Sequence, residues 1–176
     1  MIPVLTTERL TLRAPAMRDF EATAAFLASE RAAMIGGPLD RLGAWRALAA
    51  SLGHWELRGY GMWAVEETAT GAFLGQVGMF DPEGWIAQEI GWWLAAPEHE
   101  GKGFAFEAAL AARRYAYQVA GWREAFSVIH PENLRSIRLA ERLGATLDRE
   151  QAVPGSAIPG SAIRRVYRHP APEACR

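Results

Sequence analysis

Only one cysteine occurs in the 176 residues, Cys175, next to the last position. A lone cysteine supports neither a disulfide framework nor a thiolate metal site, and it fits a reducing compartment. Long apolar runs are also missing. No stretch approaches the ~20 residues of a membrane-spanning helix, and the opening MIPVLTTERL has no basic segment leading into an apolar one. Charge of one sign is lacking as well: 19 basic residues face 20 acidic ones, for a formal net charge of -1. That balance removes the electrostatic case for broad nucleic-acid or membrane-surface binding. The expectation is a cytoplasmic protein with no metal, whose partner is small or local.

What the chain does have is apolar. Half of its residues are hydrophobic or aromatic, enough for one domain over residues 1–176 with a core of its own. RLTLR (9–13) alternates as a half-buried strand, and MRDFEATAAFLASE follows Pro15 with Phe20, Ala24 and Leu27 on one helical stripe. After the breaker GGP (36–38), LDRLGAWRALAASLGHWELR reads as a second helical segment, with Gly43 and Gly53 as interruptions. From Gly61 the period changes. MWAVEE, AFLGQVGMF and WIAQEIGWWLA, joined by short turns at ATG and DPEG, form an antiparallel meander. A helix (about 101–120), the strand EAFSVIH (124–130), a helix capped by Asn133 and stopped by Gly144, and two closing strands, ATLDREQ and IRRVYRH, complete the chain. The order β-α-α-β-β-β-α-β-α-β-β gives an α/β (α+β) fold, a mixed sheet. The proline-rich AVPGSAIPGSAIRR reads as a loop between the last two strands.

The long helix begins in an unusual way. PEHEGKGFAF places Gly101-Lys102-Gly103 at its mouth, where Ser or Asp would ordinarily cap. Glycine permits close backbone approach, and the unpaired N–H groups of the first turn are partly positive, so the pair makes an anion site; the alternative is a flexible loop that starts a helix. The pattern is not a P-loop, because Gly103 rather than Ser or Thr follows Lys102. Nor is it a dinucleotide fingerprint, because Phe106 stands where a third glycine is needed.

TERLTLR, EIGWWLA-PEHEGKGFAFEA and HPENLRSIRLAERLGA, in that order over residues 6 to about 147, resemble the GCN5-related N-acetyltransferase (GNAT) family in its ribosomal-protein-acetylating, RimJ/RimL-like branch. The resemblance implies the GNAT fold, a twisted, mostly antiparallel sheet of about six to seven strands flanked by four helices. It also implies acetyl-coenzyme A as cosubstrate and a primary amine, a protein N-terminus or a small molecule, as acceptor. The family's loop, Gln/Arg-x-x-Gly-x-Gly/Ala, is matched at Gly103 and Ala105, so Gly101, Lys102, Gly103, Phe104 and Ala105 are expected around the diphosphate. Glu100 departs from the pattern: a carboxylate there repels phosphate unless it points outward or Lys102 compensates it. The pantetheine arm is expected along Trp93, Leu94 and Ala95, where the family's fourth and fifth strands splay, with a bulge leaving an N–H for the thioester oxygen. Asn133 is expected to touch the same arm, to cap its helix, or both.

The chemistry assigns the remaining roles. An attacking amine must lose its proton, and Glu89, on a strand face shared with Gly91 and Trp93, is the candidate base, its pKa raised by aromatic surroundings. The other reading is a structural carboxylate paired with an arginine. The tyrosine that many relatives use as acid is replaced by Ala140, and Ser136, three residues after Asn133, is the candidate donor to the leaving thiolate. Trp85, Trp92 and Trp93 are candidate linings of the acceptor pocket, whereas His99 and His130 read as boundary or surface groups. Helices one and two and the PGSAIPGSAI loop would set acceptor choice. A non-catalytic coenzyme-binding or interaction domain on the same fold is the competing function, and the chain is expected to be a monomer or homodimer.

Overall fold

The computed structural model describes residues 1–153 and 163–171. All but the last residue of the PGSAIPGSAI loop (154–162), and Cys175, lie outside the described residues. Among the described residues, eight strands form one sheet in the order β1-β2-β3-β4-β5-β6-β8-β7. They are β1 (Leu5–Thr6), β2 (Leu10–Arg13), β3 (Met62–Glu67), β4 (Phe73–Phe80), β5 (Glu89–Leu94), β6 (Phe126–Ile129), β7 (Thr146–Ala152) and β8 (Ile163–Arg168). Among the described residues the α-helices are α1 (Phe20–Leu27), α2 (Arg41–Arg58), α3 (Phe104–Gln118) and α4 (Leu134–Arg142). The expected six to seven strands become eight because Leu5 and Thr6 pair antiparallel with Leu12 and Thr11, a contact too short to leave a periodic signal.

Local chemistry explains most of the boundaries. Asp40 caps α2 by accepting from the Gly43 N–H at 2.7 Å, so Gly43 sits inside the first turn and α2 runs unbroken through Gly53. Asn133 caps α4 by accepting from the Ser136 N–H at 3.2 Å. The segment expected to be strand from Trp85 becomes strand only at Glu89, because the preceding residues close a turn in which the Trp85 N–H reaches the Pro82 carbonyl at 3.0 Å.

All strand pairs are antiparallel except β5–β6, which the α3 crossover makes parallel. That pair has a single register position, Glu89↔Phe126, beyond which the strands part. One side of the sheet packs on α3 through Leu10, Trp63, Val77, Ile90 and the alanines Ala108, Ala109, Ala112 and Ala116, and on α4 through Ile129, Tyr167, Ile137 and Ala140. The other packs on α1 and α2 through Phe26, Leu27, Ala44 and Leu48. Alternation along β5 sends Trp93 to the α1/α2 side and Trp92 to the α3/α4 side. At Gly75 (φ 147°) β4 approaches β5 so closely that a Cβ would stand 2.1 Å from the Trp93 carbonyl oxygen.

Candidate active site

The splay between β5 and β6 creates the candidate site. Pairing of β4 with β5 runs without a break from Gly75↔Leu94 to Phe80↔Glu89, so the expected bulge is absent. Because the Ala95 N–H bonds the Leu74 carbonyl at 2.8 Å, the odd-numbered residues of β5 direct their backbone groups to β4. Ile90, Trp92 and Leu94 therefore direct theirs to the opposite edge. The Ile90 carbonyl is taken by the Ser127 hydroxyl at 2.7 Å, and the Leu94 and Ala95 carbonyls by Arg31, each at 2.9 Å. This leaves the N–H groups of Trp92 and Leu94 facing the gap. The Trp93 backbone belongs to the β4 ladder.

Glu89 stands where the strands part. Its Oε2 accepts from Trp85 Nε1 at 2.8 Å and its Oε1 from the Val128 N–H at 3.4 Å. Burial pushes the carboxyl up to about 7, while these two hydrogen bonds and the charge of Arg164 pull it down. An acid poised near neutrality, half-buried and close to a gap, is suited to proton transfer. Gly91, its neighbour on the same face, leaves room beside it: a Cβ there would lie 3.4 Å from Glu89 Oε1.

Ser136 borders the gap from the α4 side. Its Oγ accepts from Trp92 Nε1 at 3.2 Å, which leaves the hydroxyl proton available for another acceptor. Trp92 thus supports Ser136 and lies on the face away from α1 and α2, whereas Trp93 stacks on Phe26 with centroids 4.7 Å apart. Ala140 is fully buried in the α4 core.

The glycine loop ends in Gly103, which takes a left-handed conformation (φ 83°) as the N-cap of α3 with no side-chain cap bond. Gly101 is left-handed too, at φ 75°. The first helical bond runs from the Glu107 N–H to the Gly103 carbonyl, so the N–H groups of Phe104, Ala105 and Phe106 precede any intrahelical partner. Arg9 braces the loop from outside: it donates to the Lys102 carbonyl at 3.0 Å and to Glu107 at 2.7 Å. Burial raises the Glu107 carboxyl, but hydrogen bonds from Thr7 and Arg9 outweigh it and hold it below its usual range. The Lys102 side chain is exposed, and the charge of Glu100 is met by Arg31 at 2.7 Å and by Arg135. Beside this loop lies a cavity of about 660 Å³ bounded by Thr7, Arg9, Lys102, Phe106 and Arg142; neither Glu89 nor Ser136 lines it. His130 Nδ1 accepts from the Glu132 N–H, and His99 Nδ1 is buried without a partner among the described residues.

Behind the gap runs a buried relay that sequence reading missed. Arginine only donates, so Arg113 Nη1 fixes His169 Nδ1 as acceptor at 3.2 Å; His169 Nε2–H then donates to Ser127 Oγ at 3.0 Å, and Ser127 to the Ile90 carbonyl. Burial, with the Arg113 charge, pushes His169 down to about 3. Nothing in the local sequence marks these residues, which meet only through the fold.

The family model for an acetyltransferase (GNAT) domain matches residues 9–146. The chain belongs to the GNAT acetyltransferase family. An acetyltransferase from Agrobacterium tumefaciens str. C58 is 37% identical to this GNAT domain, with a TM-score of 0.84 over 97% of this chain and 95% of that one. The uncharacterised protein YkkB of Bacillus subtilis (strain 168) is 38% identical over 91 residues; the match spans about half of each protein, 49% of this chain and 52% of YkkB. RimL, a ribosomal L7/L12 alpha-N-protein acetyltransferase solved in complex with coenzyme A, shares the fold at 16% identity, with a TM-score of 0.76 over 97% of this chain and 99% of that one. Among the described residues, no helix is long and apolar enough to cross a membrane and no three His, Cys, Asp or Glu side chains are grouped to hold a metal ion.

Proposed function

We propose that this GNAT domain transfers the acetyl group of acetyl-coenzyme A to a primary amine by direct attack in a ternary complex. The observation that carries this reading is the β5–β6 splay, with an uncapped glycine-loop helix at one end, Glu89 on one side and Ser136 on the other. The diphosphate would rest on the backbone of residues 101–105, and the pantetheine arm would run beside β5 and near Asn133. One of the two outward N–H groups, that of Trp92 or that of Leu94, would hold the thioester oxygen as charge develops on it, and the other would pair with the pantetheine arm.

The amine nitrogen attacks the thioester carbon and the carbon–sulfur bond breaks. Glu89 accepts the proton that the nitrogen loses, and Ser136 supplies one to the leaving sulfur. A carboxyl near 7 is matched to an α-amine, which titrates near 7.7–8.0, better than to a lysine near 10.4. That match supports an α-amine, as in the RimJ/RimL-like branch, and the Phe26–Trp93 stack on the Glu89 face supports an acceptor with an apolar group. The reading includes a cytoplasmic enzyme, monomeric or homodimeric.

The test is release of free thiol from acetyl-coenzyme A with a panel of peptides and small amines at pH 8. Amine-dependent release supports the reading. Coenzyme binding without turnover of any amine would favour a non-catalytic binding domain.

A further inference from the structure

Glu100 stands where the family pattern puts glutamine or arginine, and its carboxylate is compensated by the fold. One oxygen accepts from Arg31 Nη2 at 2.7 Å and the other from Arg135. The two arginines differ in kind. Arg135 is 80% exposed, so its pair with Glu100 is screened and weak. Arg31 is only 29% exposed and both ends of its fork are engaged: Nη1 donates to Ala95 O, Nη2 to Leu94 O and Glu100, and its guanidinium lies 5.2 Å from the centre of the Phe26 ring. Arg31 comes from the segment between α1 and α2, on the Glu89 side of the sheet, yet its charge is delivered to the residue that precedes Gly101.

We propose that Arg31 is a positioning residue of the coenzyme site: by neutralising Glu100 it lets a carboxylate stand at the head of the glycine loop without repelling the coenzyme's diphosphate. This rests on the coenzyme reading above. The same guanidinium fixes the carbonyl ends of β5, so a residue from the acceptor side completes the donor side. The cationic charge that the loop's first position lacks in sequence is supplied from 69 residues away.

The test is calorimetric titration with coenzyme A at low salt on wild type, Arg31→Met, Glu100→Gln and the double variant. Arg31→Met should bind about tenfold more weakly, because the carboxylate that faces the phosphates then keeps only its screened pair with the exposed Arg135, and the loss should shrink by more than half at 0.5 M salt. Glu100→Gln alone should bind as tightly as wild type or tighter, and adding it to Arg31→Met should restore affinity to within about threefold of wild type. That rescue separates charge neutralisation from mere bracing, since the amide that Glu100→Gln introduces does nothing for the freed Leu94 and Ala95 carbonyls. If Arg31→Met does not fold, Arg31→Lys carries the test, because it keeps the charge and gives up the fork; it should stay within about threefold of wild type. The proposal is overturned if Arg31→Met binds like wild type, if the double variant stays as weak as Arg31→Met, or if Arg31→Lys loses about tenfold. No binding by wild type would overturn it together with the coenzyme reading; wild-type binding without the rescue overturns it alone.

Discussion

Trp85 donates its indole N–H to Glu89 Oε2 at 2.8 Å, four residues along the chain and across the turn that precedes β5. The bond holds the acid at the point where β5 leaves β6, with its other oxygen toward Val128. A base in this place predicts that Glu89→Gln lowers kcat/KM by about a hundredfold. It also predicts that wild-type kcat/KM rises with pH through about 7, as the carboxyl ionises, and that the variant loses this limb. Full activity of Glu89→Gln across the pH range would remove Glu89 from the chemistry.

Glu89 and His169 make opposite demands on stability. The folded Glu89 carboxyl near 7, against an ordinary 4.5, binds its proton more tightly than the unfolded chain does, so its contribution falls as pH rises from about 4.5 to about 7. His169 near 3, against 6.5, is held neutral, so its contribution is fully present above 6.5 and is lost as pH falls toward 3. Between pH 4.5 and 6.5 the two slopes oppose each other, each up to about 1.4 kcal/mol per unit. Urea denaturation of Glu89→Gln should therefore show stability rising more steeply with pH than in wild type, and His169→Gln should show the reverse. Parallel curves for all three proteins would contradict both assignments.

Much of this arrangement was legible in the sequence. Alternation in EIGWWL puts Glu89, Gly91 and Trp93 on one face, and the Gly101-Lys102-Gly103 mouth of α3 is uncapped as its composition implied. What local pattern does not carry is pairing at a distance. Arg31 lies in an alanine-rich segment with no motif, and its partners are 63 to 69 residues away. The gap itself is the absence of a second β5–β6 register position, which no residue type encodes, and Ser127 fills the missing bond with a side chain. Trp92 looked like part of an acceptor wall beside Trp93, but period two sends neighbours to opposite faces, and it became the partner of Ser136.

Ser136 offers its proton because Trp92 already donates to its oxygen. Ser136→Ala should lower kcat by about three- to tenfold, with coenzyme affinity within twofold of wild type, since a thiolate with a pKa near 8.5 leaves partly unaided. Trp92→Phe should give a smaller loss in the same direction. A stopped-flow thiol assay separates kcat from binding, and unchanged turnover in Ser136→Ala would assign its role to water.

Gly103 adopts φ 83° where the loop turns into α3. Gly103→Ala places a Cβ 3.4 Å from Arg9 Nη2, an ordinary contact, so its strain is that of the left-handed backbone, about 1 kcal/mol. Thermal melting should register that small loss. Coenzyme affinity should fall about tenfold as the N–H groups of the loop are re-aimed. Equal affinity in the variant would mean that the loop is not the phosphate cradle.

The most direct test of the account is calorimetric titration of the wild-type protein with acetyl-coenzyme A. The account predicts one site per chain with micromolar or tighter affinity, about -8 kcal/mol or better. Absence of binding up to millimolar coenzyme would contradict it, and would mean that this GNAT fold serves a purpose other than acetyl transfer.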